Sequence, residues 1–399
     1  NRSFTRSSVG SNGFLYGNVC CAFNEETQQN KHMIRIFLII NFYAFAQNFI
    51  SSETNTGKLE QLLEYANFDN AEGLRNLISQ GGISNFINFG DSLGHNALII
   101  SASKGYKDIA IILLSQSLDI NLTCRHGNTA LTYAADSGYI DIVSYLLAKN
   151  ANPNIIINGG TTALLQAAGK GYYSIVETLI NAKADLRLAG IYRSGNNDGV
   201  DYNMTPLMIA AFNNHDLIVK LLLDKGSEIN RINEYGANAL FYAIAKGNNE
   251  VAKTLLENGA EGNISASYNS YNNITPIALA STLGSTNIIS SLLIGKANIN
   301  YKMKDGKTAL IWAAISSKSE SVLTLINARA DINSSDNEGK TALMYAAENG
   351  DYNSVEYLIN AGADINILDK SSKNALMFAM ENGNLDIVDL ITKVSLNNR

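Results

Sequence analysis

Cysteine is nearly missing from this chain: Cys20, Cys21 and Cys124 are the whole complement. So sparse and odd a set supplies no disulfide framework and no structural zinc spacing, and a bridge between adjacent Cys20 and Cys21 would constrain almost nothing. Proline is limited to three residues, which excludes proline-rich spacer segments. Charged residues make up 17%, below the usual quarter, and no run of like charge occurs. With a net charge of −6 and no clustered basic surface, nucleic acid is not an expected partner. The four histidines, His32, His95, His126 and His215, show no ligand spacing on one helical face. His126 stands two residues from Cys124 in a turn, which reads as a solvated histidine beside an incidental thiol. Phosphate loop, nucleophile elbow and metal-binding helix signatures are all absent. No catalytic, cofactor-binding or metal-ligating set is therefore expected, and the chain does not read as an enzyme.

What the chain has is apolar residues, 46% of it, arranged with a period. A triplet of Thr or Asn, then Ala or Pro, then Leu or Ile begins at residues 96, 129, 162, 205, 238, 275, 308, 341 and 374. The intervals are 33, 33, 43, 33, 37, 33, 33 and 33 residues, so six of eight share one period and two exceed it, by 10 and by 4. Each unit reads alike. In residues 336–366, Asp336-Asn337-Glu338-Gly339 is a turn, and Thr341 opens a short helix whose Ala346-Ala347 face lets a neighbour approach closely. Gly350 ends that helix, as do glycines in six other units, with Asn214 and Ser317 as exceptions. A second helix carries Val355, Leu358 and Ile359, and an Asp-Ile-Asn exit leads into the next unit.

These motifs resemble the ankyrin-repeat family over residues 91–393, and the resemblance implies an all-α solenoid of stacked helix-turn-helix units with hairpin-like connecting loops. One departure is plain: the histidine of the family's Thr-Pro-Leu-His tetrapeptide is replaced in every copy, by Ile99, Thr132, Leu165, Met208, Phe241, Ala278, Ile311, Met344 and Met377. An array needs caps, because a single unit cannot bury its own apolar side. Residues 57–82 supply a degenerate first unit within a 47–90 linker-and-cap region, and Leu385 to Ile391 a closing helix before the polar tail, 394–399. Nine units packed 8–10 Å apart would reach about 90 Å.

The resemblance also implies a protein partner held by the hairpin tips and the inner face of the first helices. On that surface the middle of the array becomes aromatic and apolar, at Tyr202, Met204, Phe212, Tyr235, Tyr271 and Ile274. The C-terminal part becomes charged, at Lys304, Lys307, Glu338 and Lys340. Both longer connections, residues 188–203 and 264–273, flank the centre, where insertions in repeat proteins often form a binding face. Trp312 and Tyr345 read as packing between repeats. The expected molecule is a monomeric, non-catalytic interaction scaffold without cofactor; a structural spacer without a specific partner and a secreted effector with a local activity are the alternatives.

Before the array, Lys31 to Arg35 is a basic stretch, residues 36–45 are mostly apolar, and Ala44-Phe45-Ala46 precedes Gln47. That order of parts predicts a signal peptide at 33–46, too short to span a bilayer, with translation starting at Met33 and residues 1–32 upstream. Export to the periplasm or medium is then expected, without stable membrane insertion after processing; a cytoplasmic protein is the alternative if residues 1–32 are translated.

Overall fold

A computed structural model describes residues 53–158, 160–193, 200–268 and 271–397. The signal-peptide segment, the stretch before it and the Asn196-Asn197-Asp198-Gly199 loop lie outside those residues. The chain divides into two units, Asn1–Gln61 and Leu62–Arg399. Of the first, the described part is residues 53–61, the opening of helix Glu53–Asn67. The second holds the repeats.

Twenty α-helices stand among the described residues. Two, Glu53–Asn67 and Ala71–Ser79, correspond to the expected degenerate unit, and eighteen pair off into nine repeats. Local chemistry explains why each first helix begins where it does. The Thr or Asn of every triplet is the N-cap, in extended backbone, and its side-chain oxygen accepts the N–H three residues on: Asn96 from Ile99, Thr129 from Thr132, and so on to Asn374 from Met377. One otherwise orphaned donor is satisfied each time, worth about 1 kcal/mol per helix. The position where the family carries histidine is buried and apolar in most repeats. Thr132 instead closes a reciprocal cap, its Oγ1 accepting from the Thr129 N–H at 2.8 Å. First helices end in the left-handed region: Gly105, Gly138, Gly171 and Gly284 serve as C-caps there, and the exceptions Asn214 and Ser317 also adopt positive φ, 62° and 50°.

The core runs between the two helix layers. First helices turn alanines inward, such as Ala134-Ala135 and Ala346-Ala347, and second helices add Val143 and Leu146 or Val355 and Leu358. All are buried, and each Val or Leu contributes about 1.5–3 kcal/mol. The exit asparagines do more than turn the chain. Asn88, Asn121, Asn154, Asn230, Asn263, Asn300 and Asn333 each accept, through Oδ1, a backbone N–H of the following repeat at 2.8–3.0 Å. That ladder is interrupted once, where Arg187 occupies the asparagine position; there Arg231 donates to the Arg187 carbonyl at 2.8 Å instead.

The all-α expectation meets one addition. Both longer connections form antiparallel two-stranded hairpins, Gly190–Arg193 with Val200–Met204 and Ala266–Tyr268 with Tyr271–Ile274. The closing helix, Leu385–Asn397, runs on beyond residue 393. Among the described residues no helix is long and apolar enough to cross a membrane.

Candidate partner-binding surface

Four positions repeat in every ordinary hairpin and first helix, and their stacking builds the surface. The first, at the hairpin's start, is buried: Asp336, Asp369 and Asn233 hold it. Oδ1 of Asp336 accepts the N–H groups of Glu338 and Lys340, both at 2.9 Å, which fixes the turn. The second, two residues on, is the exposed tip: Leu93, His126, Tyr235, Asp305, Glu338 and Ser371. The third precedes the N-cap and holds His95, Lys307, Lys340 and Lys373. The fourth, four residues into the first helix, is a ring in five repeats: Tyr133, Tyr242, Trp312, Tyr345 and Phe378.

Where a tyrosine meets an Asp or Asn, its hydroxyl ties helix to turn. Tyr345 Oη donates to Asp336 Oδ2 at 2.7 Å, and Asn233 Nδ2 donates to Tyr242 Oη at 2.6 Å. Burial, then the Asp336 carboxylate, pushes the Tyr345 phenol well above its ordinary value near 10, and burial, then Cys124, pushes Tyr133 up to about 12. A raised phenol pKa means that the fold favours the neutral ring. The associated stability is present below pH 10 and is lost as pH climbs through the folded-state values. Tyr345→Phe should therefore cost about 1 kcal/mol at neutral pH, discounted for the half-exposed ring. It should also flatten the fall in stability above pH 10, leaving the part that Tyr133 contributes up to about 12. Urea titrations of parent and variant from pH 7 to 11.5 check this; identical slopes above pH 10 would exclude the link.

The C-terminal repeats carry an alternation of lysine and ring. Lys307 Nζ lies 5.7 Å from the Trp312 ring centre; Lys340 lies 5.1 Å from Tyr345 and 4.2 Å from Phe378; Lys373 lies 5.6 Å from Phe378. Each ammonium also meets a carboxylate: Lys307 with Asp305 at 2.8 Å, Lys340 with Glu348 at 2.8 Å, Lys373 with Glu381 at 2.7 Å. Lys304 and Glu338 project from the tips into solvent. The strip is thus polar at its edges and aromatic beneath, with its charges balanced. Trp312 and Tyr345, expected as packing between repeats, are half-buried members of it.

The central patch is corrected by the structure. Met204, Phe212 and Ile274 are 1%, 5% and 0% exposed, closed to any partner. Strand pairing explains two of them: Met204 opposes Gly190 and Ile274 opposes Ala266 in the extended hairpins, and strand alternation directs both side chains inward. Phe212 is covered edge-on by Tyr242, 5.9 Å between ring centres, with the Lys246 ammonium 4.5 Å above its ring. Tyr202 and Tyr271 sit in the hairpin strands, and their side chains fall outside the described part. Of the central residues expected at the surface, Tyr235 is described as exposed, at 37%.

The structure also assembles residues that the sequence reading had separated. His95, Cys124 and His126 bring ligand atoms within 4.8 Å of one another, across two successive hairpins. His126 is exposed, as expected of a turn histidine, and a carboxylate, Asp91 Oδ2, stands 3.3 Å from Nδ1 of its neighbour His95. Adding one period to residue 95 gives 128, which closes the turn that Cys124 opens; comparing neighbouring hairpins position by position would have shown it.

Comparison with curated proteins finds no match to this chain. The model of a family described as ankyrin repeats (3 copies) matches residues 62–157, 164–266, 263–336 and 325–399. Those stretches take in nearly all of the second unit, the same one in which nine N-capped helix pairs stack. The chain belongs to the ankyrin-repeat family.

Proposed function

We propose that this protein is a non-catalytic scaffold that holds a partner protein, chiefly against the hairpin tips and first helices of its C-terminal repeats. The observation that carries this reading is the strip Lys307–Trp312 and Lys340–Tyr345, in which half-buried rings are roofed by lysines already paired with carboxylates, with buried Phe378 packed beneath Lys340 and Lys373. Partly exposed ion pairs of this kind are weak, on the order of 1 kcal/mol, so a partner can exchange them for its own at little cost. The rings beneath supply apolar area and the tips a polar rim, which is the usual anatomy of a protein interface. Balanced charge favours a partner of mixed polarity over a polyanion. The order of parts in residues 31–46 supports export, so the partner would be met outside the cytoplasm; N-terminal sequencing of the mature chain tests that.

The experiment for the surface is site-specific photo-crosslinking from Lys304, Glu338 and Lys370, at the tips, with Lys225, at the far end of a second helix, as the control position. Adducts of one mass from the three tips, without an adduct from Lys225, are expected. Lys340→Ala should then weaken capture about tenfold, in the range of an interface residue worth 1–2 kcal/mol. Equal adducts from tips and control, or undiminished capture by Lys340→Ala, would remove the strip as the binding surface.

A further inference from the structure

We propose that His95, Cys124 and His126 form a binding site for one divalent transition-metal ion of the zinc class, clasped between the tips of the first two hairpins. The three ligand atoms lie within 4.8 Å of one another. An ion with bonds of about 2.0–2.1 Å to nitrogen and 2.3 Å to sulfur spaces its ligands about 3.3–3.8 Å apart, so closure of about 1 Å completes the set. His126, exposed at a tip, is the ligand placed to supply that movement. Two imidazoles and a thiolate suit borderline ions such as zinc or cobalt and do not suit magnesium or calcium, which take oxygen.

The surroundings are arranged as metal sites require. Asp91 is held in place by the Leu93 and His95 N–H groups, which donate to its Oδ1 at 2.8 and 2.9 Å. Its other oxygen meets His95 Nδ1, an orientation that aims Nε2 away from the carboxylate. Nε2 points into the group: it lies 3.2 Å from Tyr133 Oη, which lies 3.9 Å from Cys124 Sγ. A carboxylate behind a ligating histidine is the usual supporting arrangement. Cys124, 4% exposed, occupies the buried place that Asp336, Asp369 and Asn233 fill elsewhere, where their side chains hold the turn. A thiol does not perform that task well. The turn keeps the backbone bond common to these hairpins, Gly127 N–H donating to the Cys124 carbonyl at 2.8 Å as Gly339 N–H does to Asp336 at 3.0 Å, while the sulfur meets Tyr133 Oη instead of the turn's N–H groups. On binding, the thiol releases its proton to solvent, the sulfur–metal bond replaces the S–H bond, and the solvent side beside His126 leaves a fourth position for water.

The test uses the full chain carrying Cys20→Ser and Cys21→Ser, so that Cys124 is the one thiol, reduced and stripped of metal by a chelator. Cobalt(II) is titrated and followed by absorption. A thiolate-to-cobalt charge-transfer band saturating at one equivalent, with visible bands of four-coordinate intensity abolished by zinc, is expected. Cys124→Ser should remove the charge-transfer band. His126→Ala, at an exposed tip where folding is not at stake, should weaken cobalt binding at least tenfold, and Asp91→Asn, which keeps the turn's acceptor, by tenfold to a hundredfold. Circular dichroism confirms that each variant is folded. No saturable band, a band that survives Cys124→Ser, or affinity within twofold of the parent in both His126→Ala and His95→Ala would overturn the proposal.

Discussion

Phe241→Ala is expected to destabilise the array by about 3–5 kcal/mol and to split its unfolding into two steps. Phe241 stands where the family carries a histidine, is wholly buried, and packs edge-on against Tyr242 with ring centres 6.3 Å apart. Its backbone N–H is already satisfied by Asn238 Oδ1, so the ring's contribution is packing alone. Truncation removes the transfer energy of the ring and leaves a cavity that flanking helices can fill only partly. The consequence for cooperativity follows from architecture. Each repeat is stabilised mainly by its two neighbours, so a loss this large in the fifth repeat weakens the coupling between the four before and the four after it. The single tryptophan, Trp312, lies in the seventh repeat and reports on the C-terminal side, whereas circular dichroism reports on all helices. In urea the two midpoints should coincide for the parent and separate for Phe241→Ala. A loss under 1 kcal/mol, or midpoints that still coincide, would show that the fifth repeat is not a coupling point.

The repeat was legible because its signals are local. The Thr or Asn triplet is a hydrogen bond between residues three apart, and the glycine after each first helix is a backbone conformation; neither needs a distant partner. The exit asparagine was visible as punctuation, but its partner lies 31 or 35 residues away, so its ladder emerged with the stacking. The same distance hid the His95, Cys124 and His126 group, since a period of 33 places residue 95 beside a turn that no local pattern joins to it. The central patch failed for a different reason. Met204 and Ile274 occupy the column before the N-cap, which is half-exposed at Lys307 and Lys340. The two enlarged hairpins extend their strand pairing to that column, and a residue that would face a partner in an ordinary repeat faces the core. Insertion length announced that these hairpins differ; it did not say which side of the strand would be covered.

Gly138→Ala should cost about 2–3 kcal/mol, and the reason separates two contributions that a glycine usually merges. The residue adopts φ 84° and ψ 16°, the left-handed region, which charges an alanine about 1–2 kcal/mol by itself. A methyl group there would also stand 2.9 Å from Tyr172 Cζ, a ring that the next repeat lays over this turn. Gly247 supplies the control. It has φ 72° and the same place in its own repeat, yet nothing lies within 4 Å of the added carbon. Gly247→Ala should therefore show the backbone cost alone, and the excess at Gly138, about 1 kcal/mol, measures the contact between repeats. In a Tyr172→Ala background the excess should vanish, so that Gly138→Ala costs no more than Gly247→Ala does. Equal losses at both glycines in the parent would mean that the ring gives way freely, and that the glycine answers to backbone conformation alone. Asn214 and Ser317 take positive φ at the same place in their own repeats, so this turn admits a side chain in two repeats, at the backbone cost that Gly247→Ala measures.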